Sequence, residues 1–286
     1  MSEKNKIERS TLYLVGTPIG NLSDISERAI KVLSEVDFIA AEDTRNSMRL
    51  LMALGIKNEL VSYHEHNKKA SGERLIARLL SGESCALITD AGMPAISDPG
   101  EDIVRLCADS GIVVTVIPGP CAAVSALALS GLGTRRFAFE GFLPAKESEK
   151  RKQLDLLKKE DRTLVFYEAP HKLRATLKEM RDAFGDDRKI SLCREITKLN
   201  EEIQRMSLAK AVEYYEANDP RGEYVLVVEG FEGVRVSDEV TELLSLSPED
   251  HVEQYVNQGL SKMDAIKKAA KDRGMSKSEL YKILNQ

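Results

Sequence analysis

The sequence predicts an α/β protein: a mostly parallel α/β half, a second and more mixed α/β half, and a small helical tail. Three observations predict it. Short apolar runs bounded by Gly, Pro, Asn or Asp alternate with segments of helical periodicity from Thr11 to about Gly230, the signature of βαβ units. The 286 residues suffice for about two domains and a small third. Composition then changes abruptly after Gly230. The expected domains are residues 10–131, 132–232 and 233–286.

In order, TLYLV is rich in β-formers and ends at GTPIGN. Ile25, Ala29, Leu33 and Val36 follow helical spacing, with Asp24 as the expected N-cap and Glu27 its reciprocal partner. DFIAAE reads as a strand, followed by a short helix ending near Gly55, the strand ELVSYHE and a charged helix over residues 69–80. SCALITD is expected as a buried strand. Asp98 as N-cap, Pro99 at the first helical position and Glu101 in the first turn open the next helix. IVVTVIPG reads as another buried strand, and the small-residue helix CAAVSALALSG closes the first half.

The second half has strands at RFAFEGF, TLVFYEA, KISLCREI and EYVLVVEG. Helices are expected around residues 153–159 and 171–184, with a further one opened by Ser207. Residues 236–259 are acidic and hold no lysine or arginine, whereas residues 260–286 hold seven basic and three acidic side chains, a local +4. There, SKMDAIKKAAKDRGMSKSELYKIL reads as a helix, a turn at Gly274 and a second helix capped by Ser276 with Glu279. The outline fits a helix-turn-helix, and equally a plain helical hairpin with a solvated lysine face.

Composition bounds the function. With 42% hydrophobic and 30% charged residues the chain is a folding sequence. No apolar run approaches the ~18 residues of a membrane span, and the polar start MSEKNKIERS is no secretory signal. Cys85, Cys107, Cys121 and Cys193 are widely spaced without a CxxC pair, so the expectation is a reducing cytoplasm, with neither zinc ribbon nor disulfide framework. A net charge of −5 excludes a wholly basic nucleic-acid coat but not a local patch. The pair His64 and His66 lacks a third metal ligand, and no metal is expected.

The unusual loops all follow the carboxyl ends of expected strands, where open α/β sheets bind ligands. They are GTPIGN, AEDTRN, TDAGMPAISDPG, PGPCAA, FYEAPHK and CREITK. None is a P-loop or a GxGxxG fingerprint, and few basic groups accompany them, so a ligand without a polyphosphate fits better.

GTPIGNLSDIS, AEDTR, DAGMPAISDPG, IPGPCA, GFLP, FYEAPHK, CREITK and GEYVLVVEG, in this order, resemble the tetrapyrrole-methylase-like class of S-adenosylmethionine-dependent methyltransferases, most closely its ribosomal RNA branch. In the small-molecule branch the third loop reads more like SGDPxxYG; here it is DAGMPAIS, with Met93 where the acid would stand. The resemblance implies the tetrapyrrole methylase fold, two α/β domains with the cofactor cleft between them, and a homodimer. It implies S-adenosylmethionine as methyl donor and the small ribosomal subunit as partner, with 2′-O-methylation of cytidine 1402 of 16S rRNA in the decoding centre.

Carried over residue by residue, the resemblance assigns cofactor contacts to Pro18, Ile19, Gly92, Met93, Ile96, Cys121, Ala122, Phe166, Tyr167 and the neighbourhood of Gly222. Methyl transfer to a hydroxyl needs alignment, and gains from a base or from a cation that favours the alkoxide. Glu195 or Asp43 is the candidate proton acceptor, and Lys198 or Arg45 the candidate for orienting a phosphate or stabilising the oxyanion. Glu42 and Arg194 lie in the same loops, and His171 is a cofactor neighbour or a packing residue. RNA contacts are expected from Lys146 to Lys152, from Arg135 and Arg136, and from the C-terminal hairpin. Two further readings share the sequence: a small-molecule methyltransferase without need of the basic tail, and a non-catalytic nucleic-acid regulator.

Overall fold

The structure, a computed structural model, describes residues 6–231, 243–244 and 246–284. The chain forms two units, Met1–Phe231 and Glu232–Gln286.

The first sheet contains β1 (Thr11–Val15), β2 (Phe38–Ala41), β3 (Leu60–Ser62), β4 (Cys85–Ile88) and β5 (Val113–Ile117) in the order β3-β2-β4-β1-β5. Every pairing is parallel. β2 and β4 are buried at every residue, as strands covered on both faces must be. Val15, Ile39 and Ile88 face α1 (Glu27–Glu35) and α2 (Thr44–Ala53). Leu12, Phe38 and Cys85 face the other way, onto α3 (Lys68–Leu80) and α4 (Gly100–Asp109). Each such fully buried aliphatic side chain contributes about 1.5–3 kcal/mol of transfer free energy.

The second sheet joins β6 (Phe137–Phe142), β7 (Thr163–Glu168), β8 (Lys189–Arg194), β9 (Glu202–Ser207) and β10 (Tyr224–Val228) in the order β6-β7-β10-β8-β9. Only β6 and β7 pair in parallel, so this sheet is mixed. Leu164, Phe166, Leu192 and Leu226 pack under α7 (Pro170–Phe184) and α8 (Leu208–Ala217), and Leu154 of α6 (Glu147–Leu157) joins them. The opposite face, Val165, Cys193, Val225 and Val227, is covered by Ala123, Ala126 and Leu127 of α5 (Ala122–Ser130). That helix follows β5 in sequence yet packs on the second sheet. It is apolar on all sides yet buries only the face of Ala123, Ala126, Leu127 and Ser130, leaving Val124 exposed.

Several local expectations are corrected. Asp24 is not a helix cap: residues 22–24 form one 3-10 turn capped by Asn21, Ile25 is extended, and α1 begins after Ser26, whose Oγ accepts from Ala29 N. Helix α4 begins at Gly100, with Pro99 just outside it. Asp98 Oδ1 still accepts from Gly100 N at 2.7 Å and also ties down Ala95 N at 3.0 Å. β5 is an edge strand rather than a buried one, with Val113 62% and Val116 46% exposed; an apolar run alone does not separate edge from centre. β9 carries no apolar signature, because EIQRMS is a polar, half-exposed edge strand, and α6 starts six residues before its expected position.

In the second unit, α9 (Pro248–Asn257), α10 (Lys262–Asp272) and α11 (Lys277–Ile283) pack around Val252, Tyr255, Ile266, Ala269 and Leu280. Ser247, Ser261 and Ser276 cap them, each accepting from the backbone N–H of the acid three residues on. α9 lies inside the acidic stretch, opened by Ser247 as N-cap with Pro248 in its first turn.

His251 is fully buried in this unit. Arg273 Nε donates to its Nδ1 at 3.1 Å, Asp272 Oδ2 stands 3.5 Å from its Nε2, and Tyr255 OH donates to Asp272. Burial first, then the Arg273 guanidinium, lowers its pKa from 6.5, and Asp272 opposes them only in part. A depressed histidine pKa stabilises the fold above the unfolded value and ceases to do so as the pH falls. Amide exchange protection of residues 248–283 is therefore expected to weaken as pH falls below 6.5, with protection of β10 unchanged.

Candidate active site

The ligand-facing edges of the two sheets meet around a cleft of about 510 Å³, a size suited to a nucleoside-sized molecule. The first sheet supplies Ile19 after β1, Glu42 after β2, the 89–98 loop after β4, and Cys121 and Ala122 after β5. The second supplies Phe142, Tyr167, His171, Glu195, Ile196 and Lys198 from its strand ends. Because β10 runs antiparallel to β7 and β8, its start, Glu223 to Val225, lies at the same edge.

Backbone bonds fix the first-sheet loops. Thr17 and Gly92 exchange N–H···O bonds of 2.9 and 3.1 Å, and Thr17 Oγ1 donates to Thr89 O. The Asp98 carboxylate accepts from Ala95 N, Ile96 N and Gly100 N and so holds its loop in shape. Among the described residues, the non-glycine residues at positive φ are Ser10, Ala95, Ser97, Glu195 and Thr197. All but Ser10 lie in two cleft loops. Strain of this kind persists only where surrounding contacts enforce it, and it clusters at functional sites.

The second-sheet loop is built around an ion cluster. Lys198 Nζ lies 2.9 Å from Glu195 Oε1 and 2.7 Å from Glu223 Oε2, and Glu223 N donates to Glu195 Oε1 at 2.9 Å. Hydrogen bonding from Lys198 holds the Glu195 carboxyl below its ordinary value. Burial disfavours the Lys198 charge, but Glu223 and Glu195 outweigh it and raise the pKa. Two glycines make room for the cluster. A Cβ on Gly20 would meet Lys198 Cγ at 2.3 Å, and one on Gly222, at φ +75°, would meet Glu195 Cγ at 2.5 Å.

Seven of the expected cofactor residues line this cleft together: Ile19, Gly92, Met93, Ile96, Cys121, Ala122 and Tyr167. Pro18 is half-buried beside Ile19 without forming the wall, and Gly222 stands behind Glu195. Phe166 points the other way, into the core under α7, because neighbours on a strand face opposite sides. Glu195 and Lys198 are in the cleft, whereas Asp43 and Arg45 are not among its walls. Asp43 caps α2 through Arg45 N, and the exposed Arg45 side chain lowers its pKa by hydrogen bonding.

Sequence reasoning does not single out Glu168, Glu223 or Phe142; the available signal is a charged or aromatic residue at the end of an apolar strand. Glu168 is an anchor: its carboxylate accepts from Ala169 N and Thr176 Oγ1. Burial pushes the Tyr167 phenol up to about 12 and raises Cys193, so both stay protonated at neutral pH. Of the expected RNA-binding cations, Lys146, Lys150, Arg151 and Arg136 are in ion pairs with acids.

The walls are apolar, yet Glu42, Asp98, Glu168, Glu195 and Glu223 ring them against one lysine. Such a cleft suits a cation with an apolar body and disfavours phosphate. Cys121, at the N-terminus of α5, offers that helix no side-chain cap. The steric role of Gly222 is testable against Gly55, also at positive φ (+70°) but with nothing near a Cβ. Gly55→Ala is expected to cost about 1 kcal/mol in a urea melt and Gly222→Ala about 1–3 kcal/mol more.

Comparison with known proteins agrees with this architecture. Residues 11–212 match the family of tetrapyrrole (corrin/porphyrin) methylases. A ribosomal RNA small subunit methyltransferase I from Halalkalibacterium halodurans is 48% identical over 285 residues, covering 100% of this chain and 98% of its own. One from Bacillus subtilis is 46% identical, covering 98% and 96%. Among solved structures, a uroporphyrin-III-C-methyltransferase from Thermus thermophilus superposes with a TM-score of 0.53 at 23% identity, over 77% of this chain and 94% of its own. A cobalt precorrin-4 methyltransferase gives 0.57 at 18%, over 77% and 95%. These two speak for the fold alone. The chain belongs to the tetrapyrrole methylase family, and within it to the ribosomal RNA small subunit methyltransferase I proteins.

Proposed function

We propose that the protein transfers a methyl group from S-adenosylmethionine to the 2′-hydroxyl of a cytidine ribose in the 16S rRNA of the small ribosomal subunit. The observation that carries this is the likeness to ribosomal RNA small subunit methyltransferase I over the whole chain, joined to a cleft whose donor set fits the methyl donor. The residues to hold that donor are Ile19, Gly92, Met93, Ile96, Cys121, Ala122 and Tyr167, with Pro18 and Gly222 shaping the loops. S-adenosylmethionine supplies an electrophilic methyl on a sulfonium when bound.

The chain's own part is alignment and charge. Acidic walls favour a cation and turn phosphates away, so the ribose edge enters while the backbone stays outside. Lys198 remains an ammonium at neutral pH and donates to the 2′-oxygen as negative charge develops there. Glu195 orients Lys198; with its pKa lowered, it is a weaker base than an ordinary carboxylate. Glu42 is the other candidate proton acceptor: it lines the cleft, and Thr89 Oγ1 donates to its Oε2 at 2.8 Å. Asp43 and Arg45 act at the rim, by holding the start of α2.

A homodimer belongs to this reading. The β5 edge strand, with Val113 and Val116 exposed on its opposite faces, offers apolar surface to a second copy. The small subunit places the work in the cytoplasm; among the described residues no helix is long and apolar enough to cross a membrane.

The test is methyl incorporation from labelled S-adenosylmethionine into small subunits from cells lacking the gene, with free 16S rRNA and a small-molecule extract beside them. Label recovered as 2′-O-methylcytidine is expected; label only in a small molecule would overturn the proposal. Lys198→Ala should lower kcat about 10²–10³-fold while methyl-donor affinity changes little. Gly20→Ala, which pushes on Lys198 from behind, should lower kcat up to about 10²-fold, measured on the same subunits.

A further inference from the structure

The cleft cannot be where an RNA is gripped by its phosphates: carboxylates outnumber its single lysine, which two of them already engage. The cations of α6 are largely paired with neighbouring glutamates. The C-terminal unit is different. Of the seven basic residues in its segment 260–286, Arg273 points inward to His251 and Leu246 O. The other six, Lys262, Lys267, Lys268, Lys271, Lys277 and Lys282, are exposed.

The three acids of the same segment are all engaged locally. Asp264 accepts from Ser261 Oγ, Asp272 from Tyr255 OH, and Glu279 from Ser276 N in the capping box of α11. Among the described residues, none of the six lysines lies in an ion pair; Lys268 instead sits over the Tyr255 ring at 4.3 Å. Ala265, Ile266, Ala269 and Ala270 bury the inner face of α10, so Lys267, Lys268 and Lys271 lie on its exposed side. In a chain of net charge −5, this local +4, with its lysines outside any described ion pair, complements a polyanion.

We propose that the lysine face of α10 and α11 holds the phosphate backbone of the RNA substrate, an inference that rests on the RNA reading above. Lysine acts here as a point charge on phosphate and reads no sequence; selection of the target ribose is left to the cleft.

The experiment uses the full chain. Binding of the wild type to small subunits is measured across a salt series, beside a Lys267→Gln/Lys268→Gln/Lys271→Gln variant and the corresponding triple Arg variant. Removing one lysine from a phosphate lowers the slope of log K against log salt by about 0.7–0.9, so the Gln variant should flatten it by about two to three. Its affinity near physiological salt should fall by roughly tenfold or more, with KM for subunits rising in parallel. Its kcat and methyl-donor affinity should not change, and the Arg variant should restore the slope. An unchanged slope and KM in the Gln variant would overturn the proposal, as would loss of binding in both variants. Wild type that binds subunits with the expected slope but methylates none would instead overturn the proposed function and leave the lysine face standing.

Discussion

Helix α5 leaves the first sheet beside β5 and lays its apolar surface on the second. Ala123, Ala126 and Leu127 lie against Val165, Cys193, Val225 and Val227, with small side chains that let the backbones approach closely. The cleft depends on that packing. It turns the ligand-facing edges of two differently wired sheets, one parallel and one mixed, toward each other within a single unit. Loops that would otherwise belong to separate domains then share a wall: Gly20 touches Lys198, and Gly141 comes within reach of Ser97.

Sequence and structure agree where local chemistry is strong, and diverge where a long-range neighbour decides. Strands β1, β2 and β4 are continuous apolar runs and cannot be mistaken, and the capping box of Ser276 and Glu279 is visible in four letters. β9 is not, because only pairing with β8 makes a strand of EIQRMS. In the same way Val113 and Val116 look like core residues until the strand order puts β5 at an edge. The cofactor loops are legible as Gly- and Pro-rich punctuation at strand ends. Which of Phe166 and Tyr167 faces the ligand is a matter of strand parity, which no motif encodes. The Glu195–Lys198 pair is local, three residues apart, whereas Glu223 reaches it only through the pairing of β8 with β10.

Charge divides labour along the chain. Acids collect at the cleft, where a sulfonium cation must be welcomed, and unpaired lysines collect on α10 and α11. Had both functions shared one surface, each lysine placed for phosphate would have raised the cost of bringing the cationic donor beside it. The small formal net charge hides this polarity, and composition alone does not reveal it.

The left-handed residues of the cleft loops carry a thermodynamic consequence. At about 1–3 kcal/mol each, the strain at Ala95, Ser97, Glu195 and Thr197 is comparable with the entire net stability of an ordinary domain. Glycine at any of them would relax the backbone and leave a looser loop. At Ala95 and Ser97, glycine would surrender little side-chain packing, so the folded state could be made more stable by simple substitution. A thermostability screen blind to activity would therefore drift toward the very loops that shape the cleft, trading pre-organisation for melting temperature.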